Sequence, residues 1–277
     1  MTTWDDGARP EAPRVSALGW LRVLRRGVPI LALLLVCFPL LLILRGPEKW
    51  IWGYRRPVTP WITQGVCIAT CWLMGLKRRV SGAPGPARGA YVANHSTWLD
   101  IFVLNASKRI YFVAKSEVAG WPGIGWLARG TGTVFIRRDR REARAQQQVF
   151  EDRLRAGHHL MFFPEGTSSD GQRVLPFKTT LFGAFTTDGL RDFLTIQPVS
   201  LRYHAPQGQD ARFYGWWGDM GFAEGLLKVL AVRRQGAVDV IYHAPLKVAD
   251  YTDRKALARA CETAVRAGFT EAARSAR

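Results

Sequence analysis

Asn94-His95-Ser96-Thr97-Trp98-Leu99-Asp100 follows the short apolar run Tyr91-Val92-Ala93 and leads into Ile101-Phe102-Val103-Leu104. The first run reads as a buried strand and the second continues at helical spacing. His95 is therefore expected at a strand-to-helix corner, where a side chain can project from the end of a sheet. On one continuous helix, residues five apart lie about 140° apart around the axis. His95 and Asp100 can meet only if His95 precedes the helix and Asp100 lies in its first turn, and Ser96 as N-cap would give that geometry. A carboxylate that fixes the tautomer of an imidazole and supports the imidazolium makes it a general base for an alcohol. Alone, the spacing also arises by chance.

Outward from this corner the chain alternates. Strands are expected at Tyr91 to Ala93, Ile110 to Ala114, Thr133 to Arg137, His159 to Phe163, Thr195 to Leu201 and Val238 to Tyr242. Helices are expected between them, at Ser96 to Asn105, Arg140 to Arg155, Lys178 to Thr187 and Glu224 to Val232. The polar helix 140 to 155 offers Val149, Phe150 and Leu154 as its buried edge. A tail from Asp253 to Ala273 reads as one or two amphipathic helices, with Leu257, Ala260, Cys261, Val265 and Phe269 on one face. Such alternation implies an α/β class with a mostly parallel central sheet flanked by helices.

Two apolar runs precede this region. Gly27 to Leu44 is uncharged between Arg26 and Arg45, interrupted by Pro29 and Pro39, and Trp61 to Leu76 is shorter. Eighteen helical residues reach about 27 Å, against about 30 Å of bilayer core. No small-residue cleavage site precedes the next charge, so the first run does not read as a signal peptide. Basic residues flank both runs and favour no side by the positive-inside rule. Trp50, Trp52, Tyr54 and Trp61 in the connector suit the headgroup level. An N-terminal apolar helical hairpin for membrane attachment is expected, spanning or re-entrant, with two buried core helices as the alternative. The turn-rich joint Ser81-Gly82-Ala83-Pro84-Gly85-Pro86 divides residues 1–80, a polar tail and membrane-attaching region, from an α/β domain at 81–277.

Composition agrees with a folded chain beside an anionic surface. Of 277 residues 48% are hydrophobic, with eleven Trp, and the net charge is +17. Charge of that sign admits nucleic acid, an anionic leaflet or an acidic carrier protein. Because the cations flank apolar segments, the leaflet is the better reading. Cys37, Cys67 and Cys71 lie in apolar runs and Cys261 in the helical tail, without the His or acidic neighbours of a zinc site, so they read as thiols in a reducing compartment.

Three further blocks follow the His-Asp block: Gly132-Thr133-Val134-Phe135-Ile136-Arg137-Arg138, Phe163-Pro164-Glu165-Gly166-Thr167 and Ile196-Gln197-Pro198-Val199. In this order the four resemble the glycerolipid acyltransferase family, over roughly residues 80 to 205. The resemblance implies direct attack by an acceptor hydroxyl on a thioester, with His95 as base and Asp100 as its orienter. No G-x-S-x-G elbow occurs, which accords with the absence of an acyl-enzyme. It further implies that Glu165, Gly166 and Thr167 shape the acceptor site and offer backbone N–H groups to the oxyanion. On the same ground Arg138 binds an anionic headgroup, with Lys178 assisting, and Pro198 shapes the acyl channel. Taken alone, Pro-Glu-Gly also fits an ordinary turn, and Arg138 a solvated strand end.

One departure bears on the acceptor. Ser168 stands where many lysophosphatidic acid acyltransferases carry Arg, leaving Arg138, Arg173 and Lys178 as the nearby cations. The continuation Ser168-Ser169-Asp170-Gly171, with Val174-Leu175-Pro176-Phe177-Lys178, resembles the branch that acylates lyso-ornithine lipids. That branch acts on the hydroxyl of a 3-hydroxyacyl chain in a phosphate-free aminolipid. The expected function is transfer of a fatty acyl group from acyl carrier protein or coenzyme A to a lyso-aminolipid, or to lysophosphatidic acid, or to both. No cofactor and no metal are expected. Membrane lipids and acyl carrier protein are the expected partners, nucleic acid is not, and the cytoplasmic face of the inner membrane is the expected place. A non-catalytic lipid-binding protein is the rival from outside the enzyme class.

Overall fold

The computed structural model describes residues 4, 5, 7, 15–85, 89–136, 143–186 and 188–274. Strands β1 (Lys77–Ser81), β2 (Gly89–Ala93), β3 (Tyr111–Lys115), β4 (Val134–Ile136), β5 (Leu160–Phe162), β6 (Thr195–His204), β7 (Ala237–Tyr242) and β8 (Leu246–Lys247) form one sheet. Its order is β1-β7-β6-β2-β5-β3-β4, with β8 paired to the start of β6. From β6 to β4 every neighbouring pair is parallel, while β7 and β8 run antiparallel to β6. All residues of β2 are buried, as a strand covered on both faces requires.

Helices α1 (Ala17–Trp52), α2 (Thr59–Met74), α3 (Leu99–Ser107), α4 (Ile124–Thr131), α5 (Ala143–Arg155), α6 (Asp188–Arg191), α7 (Phe222–Ala231) and α8 (Arg254–Arg274) surround the sheet. Strand alternation sorts the core into two. Tyr91, Ala93, Val199, Leu201 and Tyr203 face Val23 of α1, Cys67 and Cys71 of α2, Leu99 and Val103 of α3 and Val229 of α7. Ala90, Val92, Phe162 and Ile196 face Phe150 and Leu154 of α5, Leu190 of α6 and Leu257, Cys261 and Val265 of α8.

Helix α1 is longer than its apolar run suggests. It continues for 36 residues through Pro29, Pro39 and Pro47, which at 1.5 Å per residue is about 54 Å. Each proline removes one i→i−4 bond, and the bonds of the adjacent turns carry the helix across. Its 18-residue apolar window has a mean hydropathy of 2.8 and is only 6% buried. Leu24, Val28, Leu31, Leu35 and Val36 are more than half exposed, and Trp72 of α2 and Trp126 of α4 extend the same apolar character. So extended an apolar surface is the mark of a membrane contact rather than of a soluble monomer.

Two buried charges lock the hairpin. Arg26 Nη1 donates to Leu230 O and Val232 O, and Arg22 Nη1 to Ala231 O, so α1 caps the carbonyl end of α7 with cations. Glu48 Oε1 accepts from Val58 N and Thr59 N, and Oε2 from the Thr59 hydroxyl, so α1 also supplies the N-terminal cap that α2 lacks from its own Val58.

Several sequence expectations need correction. Ser96 is not the N-cap of α3; Trp98 occupies that position, and Asp100 in the first turn reaches back instead. The expected helix at Lys178 to Thr187 is a 3₁₀ segment, Thr179–Phe185, in which two threonines and Gly183 weaken α-helical preference. Val149, expected at the buried edge of α5, is 45% exposed. Strand β1, read as a basic flank because of Lys77, Arg78 and Arg79, is an edge strand, the place where a sheet tolerates charge. The boundary expected at residue 80 falls inside it. Helix α4, with Gly125 and Gly130 in its interior, was not foreseen. A Cβ on Gly130 would meet the Phe38 ring at 2.3 Å, so this glycine lets α4 approach α1.

Candidate active site

Strands β2 and β5 end side by side in parallel, and the loops that leave them build one site at the carboxyl edge of the sheet. After Ala93, the Asn94 side chain donates to Leu201 O and accepts from Leu201 N, which ties the corner to β6. His95 comes next, and its Nδ1 lies 2.7 Å from Asp100 Oδ2. The same Oδ2 accepts from Ser96 N at 2.8 Å and Thr97 N at 3.1 Å, while Oδ1 accepts from Tyr203 Oη at 2.8 Å. Asp100 is fully buried, whereas the His95 side chain is 18% exposed.

This arrangement fixes roles. Nδ1–H points at the carboxylate, so Nε2 keeps its lone pair for an incoming proton. The imidazole stacks on Phe163 with centroids 4.1 Å apart and planes 12° from parallel, which holds the ring's plane. Its backbone is held too: His95 N donates to Glu165 Oε2 at 3.2 Å, and His95 O accepts from Ser169 N at 3.0 Å. Trp216 N takes up Ser96 O at 2.9 Å. An imidazole oriented on every side meets the geometric demand that proton abstraction makes.

Tyr203 is the site residue that sequence reading missed. Period-two alternation from Val199 and Leu201 places it on the α3 face of β6, but its partner Asp100 is 103 residues away. Burial, with the Asp100 carboxylate beside it, holds the phenol well above its ordinary pKa, so it stays a donor.

Glu165, expected to shape the acceptor site, turns inward and is 1% exposed. Its two oxygens accept from His95 N and Leu175 N, so it clamps the His95 corner to the loop after β5. A buried carboxylate is held by such N–H donors because nothing else replaces its water. Gly166 adopts φ 70°, a left-handed turn that favours glycine. Its N–H, expected to serve the oxyanion, closes that turn onto Phe163 O at 3.0 Å. A Cβ there would meet Lys178 Nζ at 2.9 Å, which places the exposed Lys178 over the turn. Thr167 Oγ1 donates to Ser168 O. Arg173 is bound to buried Asp170 at 2.8 Å, and Arg138 lies outside the described residues.

Pro198 sits in β6 with Ile196 and Ser200, toward α8, on the other face from Asp100. Its carbonyl accepts from His243 N, in the gap between the β7 and β8 pairings, where a missing N–H breaks no ladder bond. An acyl channel on the α3 face would not touch it.

Burial raises the Glu165 carboxyl well above its usual value of 4.5. The unfolded chain then releases this proton first as pH rises. The group therefore favours folding most below pH 4.5, and that contribution declines from there up to the folded value. The stability of the natural protein relative to Glu165→Gln should fall as pH rises from 4.5, measured as thermal unfolding at a series of pH values. A constant difference would show that Glu165 is not buried as described.

Comparison with known proteins bears on the chemistry. Residues 79–202 match the acyltransferase family model. The chain is 55% identical over 269 residues to a lyso-ornithine lipid O-acyltransferase of Rhodobacter capsulatus, covering 97% of each. The chain belongs to the acyltransferase family. This acyltransferase is also 32% identical to a 1-acyl-sn-glycerol-3-phosphate acyltransferase of Neisseria gonorrhoeae, over 67% of its length and 71% of the relative. Its fold is similar to that of the crystallised acyltransferase PlsC of Thermotoga maritima, with a TM-score of 0.63 at 20% identity, covering 91% and 95% of the two chains. The α/β class and the leading apolar helix expected from sequence thus stand, and this acyltransferase associates with membranes.

Proposed function

We propose that the protein acylates a lyso-ornithine lipid at the cytoplasmic face of the inner membrane. The observation that carries this reading is the 55% identity, along 97% of both chains, to a relative of that name. The site is consistent with it: Ser168 replaces a phosphate-neutralising Arg, and Arg173 is held by Asp170. A phosphate-free acceptor needs no cation there.

In this reading His95 Nε2 removes the proton of the acceptor's 3-hydroxyl as its oxygen attacks the thioester carbonyl. The imidazolium is supported by Asp100, which Tyr203 and two backbone N–H groups hold in place. Collapse of the tetrahedral intermediate breaks the carbon–sulfur bond, and the imidazolium returns its proton to the departing thiolate. Acyl carrier protein is the proposed donor and coenzyme A the alternative. No cofactor takes part. Glu165 is a positioning residue, and Lys178 and Arg138 are the proposed contacts for the acceptor's acidic groups. The N-terminal hairpin brings the site to the lipid.

The test is a competition assay with purified full-length protein, acyl carrier protein carrying a labelled acyl chain, and equal lyso-ornithine lipid and lysophosphatidic acid. At least about tenfold more ornithine lipid than phosphatidic acid is expected, equivalent to about 1.4 kcal/mol of discrimination. The reverse ratio would instead favour phosphatidic acid synthesis, the activity named for the relative from Neisseria gonorrhoeae.

A further inference from the structure

At the edge of the sheet opposite His95, where β3 and β5 begin, a cavity of 220 Å³ lies between the α1–α2 connector and the turn before β5. Its lining includes Arg56, Lys108, Arg109, His158 and Trp61. Arg45 and Arg153, outside the lining, lie close enough to act on His158 by charge. The Arg153 and Arg56 guanidinium carbons lie 4.5 Å and 5.4 Å from the Tyr111 ring centroid, so two cations share one aromatic ring.

The charge is not balanced from within. Among the described residues the one carboxylate near the group is Glu48, 3.8 Å from Arg45, and it already caps α2. Arg56 Nη1 and Arg153 Nε are buried without a hydrogen-bond partner, and the His158 ring, in a residue only 5% exposed, has the Tyr54 backbone beside it. Buried donors without acceptors are rare in folded proteins, because each loses its water for nothing in return. Burial and the nearby arginines push the His158 pKa down to about 3, so its ring is neutral and adds no charge to the group.

We propose that this cavity binds a phosphate group, held by Arg56 and Lys108, and that its source is the headgroup of an anionic phospholipid. Forked guanidinium groups match phosphate oxygens, and the volume is several times the ~30 Å³ share of one water. The lipid source follows from position. Trp61 of the lining lies in the first turn of α2, and Trp50 and Trp52 at the end of α1 and Tyr54 in the connector are 88%, 45% and 63% exposed, as rings at the headgroup level are. An anionic leaflet presents phosphates at that depth. This site is separate from the catalytic corner and stands or falls independently of the acceptor.

The test uses full-length protein in neutral detergent micelles, with thermal unfolding followed after adding phosphatidylglycerol, phosphatidylcholine or inorganic phosphate. Phosphatidylglycerol should raise Tm by about 5 °C, and the other two by much less. The double variant Arg56→Gln with Lys108→Gln should keep turnover in micelles and lose the phosphatidylglycerol shift. Its unliganded Tm should not fall, because two repelling cations have been removed. Should the double variant fail to fold, Arg56→Gln alone and native mass spectrometry of lipid retained by the unmodified protein read the same point, with phosphatidylglycerol retained in preference. An equal phosphatidylglycerol shift in the variants would overturn the location. A shift with inorganic phosphate and none with phosphatidylglycerol would overturn the lipid source, and equal effects of the two lipids would overturn anion recognition.

Discussion

His95→Ala is expected to lower turnover by about 10³-fold or more, at the upper end of what a general base contributes, while the protein stays folded and membrane-bound. The reasoning rests on how little else depends on the ring. Asp100 retains three of its donors, the N–H groups of Ser96 and Thr97 and the Tyr203 hydroxyl, so its buried carboxylate is not orphaned. The backbone of residue 95 still donates to Glu165 and accepts from Ser169. The Phe163 ring loses its stacked partner but keeps Phe112, at a centroid distance of 6.0 Å. What disappears is the Nε2 lone pair that takes the hydroxyl proton in the proposed mechanism. Steady-state transfer from an acyl thioester to lyso-lipid measures the loss, and circular dichroism with detergent extraction verifies fold and membrane association. Turnover near that of the natural protein would remove the base from the mechanism.

Sequence reading reached this corner because its parts are local. Asn94 to Asp100 is one strand end and one helix start, and the polarity change between Ala93 and Ile101 marks both. The central parallel strands were equally legible, since residues buried on both faces form continuous apolar runs. Strand β1 was not, because an edge strand carries charge and its pairing with β7 spans 160 residues. Nor was the supporting shell of the base. Tyr203 and Asn94 act through contacts with partners more than 100 residues away, and the motif around Glu165 does not say which way its carboxylate turns. That direction is decided by two backbone donors, His95 N and Leu175 N, which become neighbours only when the loops after β2 and β5 pack together. The extent of α1 was hidden by its prolines, which break a helix in an average sequence but not one whose flanking turns hold.

Asp100→Asn is expected to lower turnover by about 10²–10³-fold, less than His95→Ala, and the geometry says why. Ser96 N–H and Thr97 N–H both point at the Oδ2 position. An amide NH₂ placed there would face two donors, so the Asn carbonyl oxygen must occupy it and the NH₂ must take the Oδ1 position beside Tyr203. The phenol can rotate and accept, and the corner survives. His95 Nδ1–H then still meets an oxygen, and its Nε2 is still the acceptor, but the neutral amide no longer stabilises the imidazolium that forms as the proton is taken. The loss is therefore electrostatic rather than a wrong tautomer. A double-mutant cycle with Tyr203→Phe separates the two explanations. In the Asp100 background, Tyr203→Phe removes one of four donors to an otherwise satisfied carboxylate and should cost turnover less than about tenfold. In the Asp100→Asn background it strands a buried NH₂ without an acceptor, which carries about 1–3 kcal/mol of lost stability. Thermal unfolding should show that coupling as a Tm for the double variant well below the sum of the single changes. Additive effects would mean that the amide sits the other way round, with its NH₂ toward His95, and the loss of activity would then belong to the tautomer.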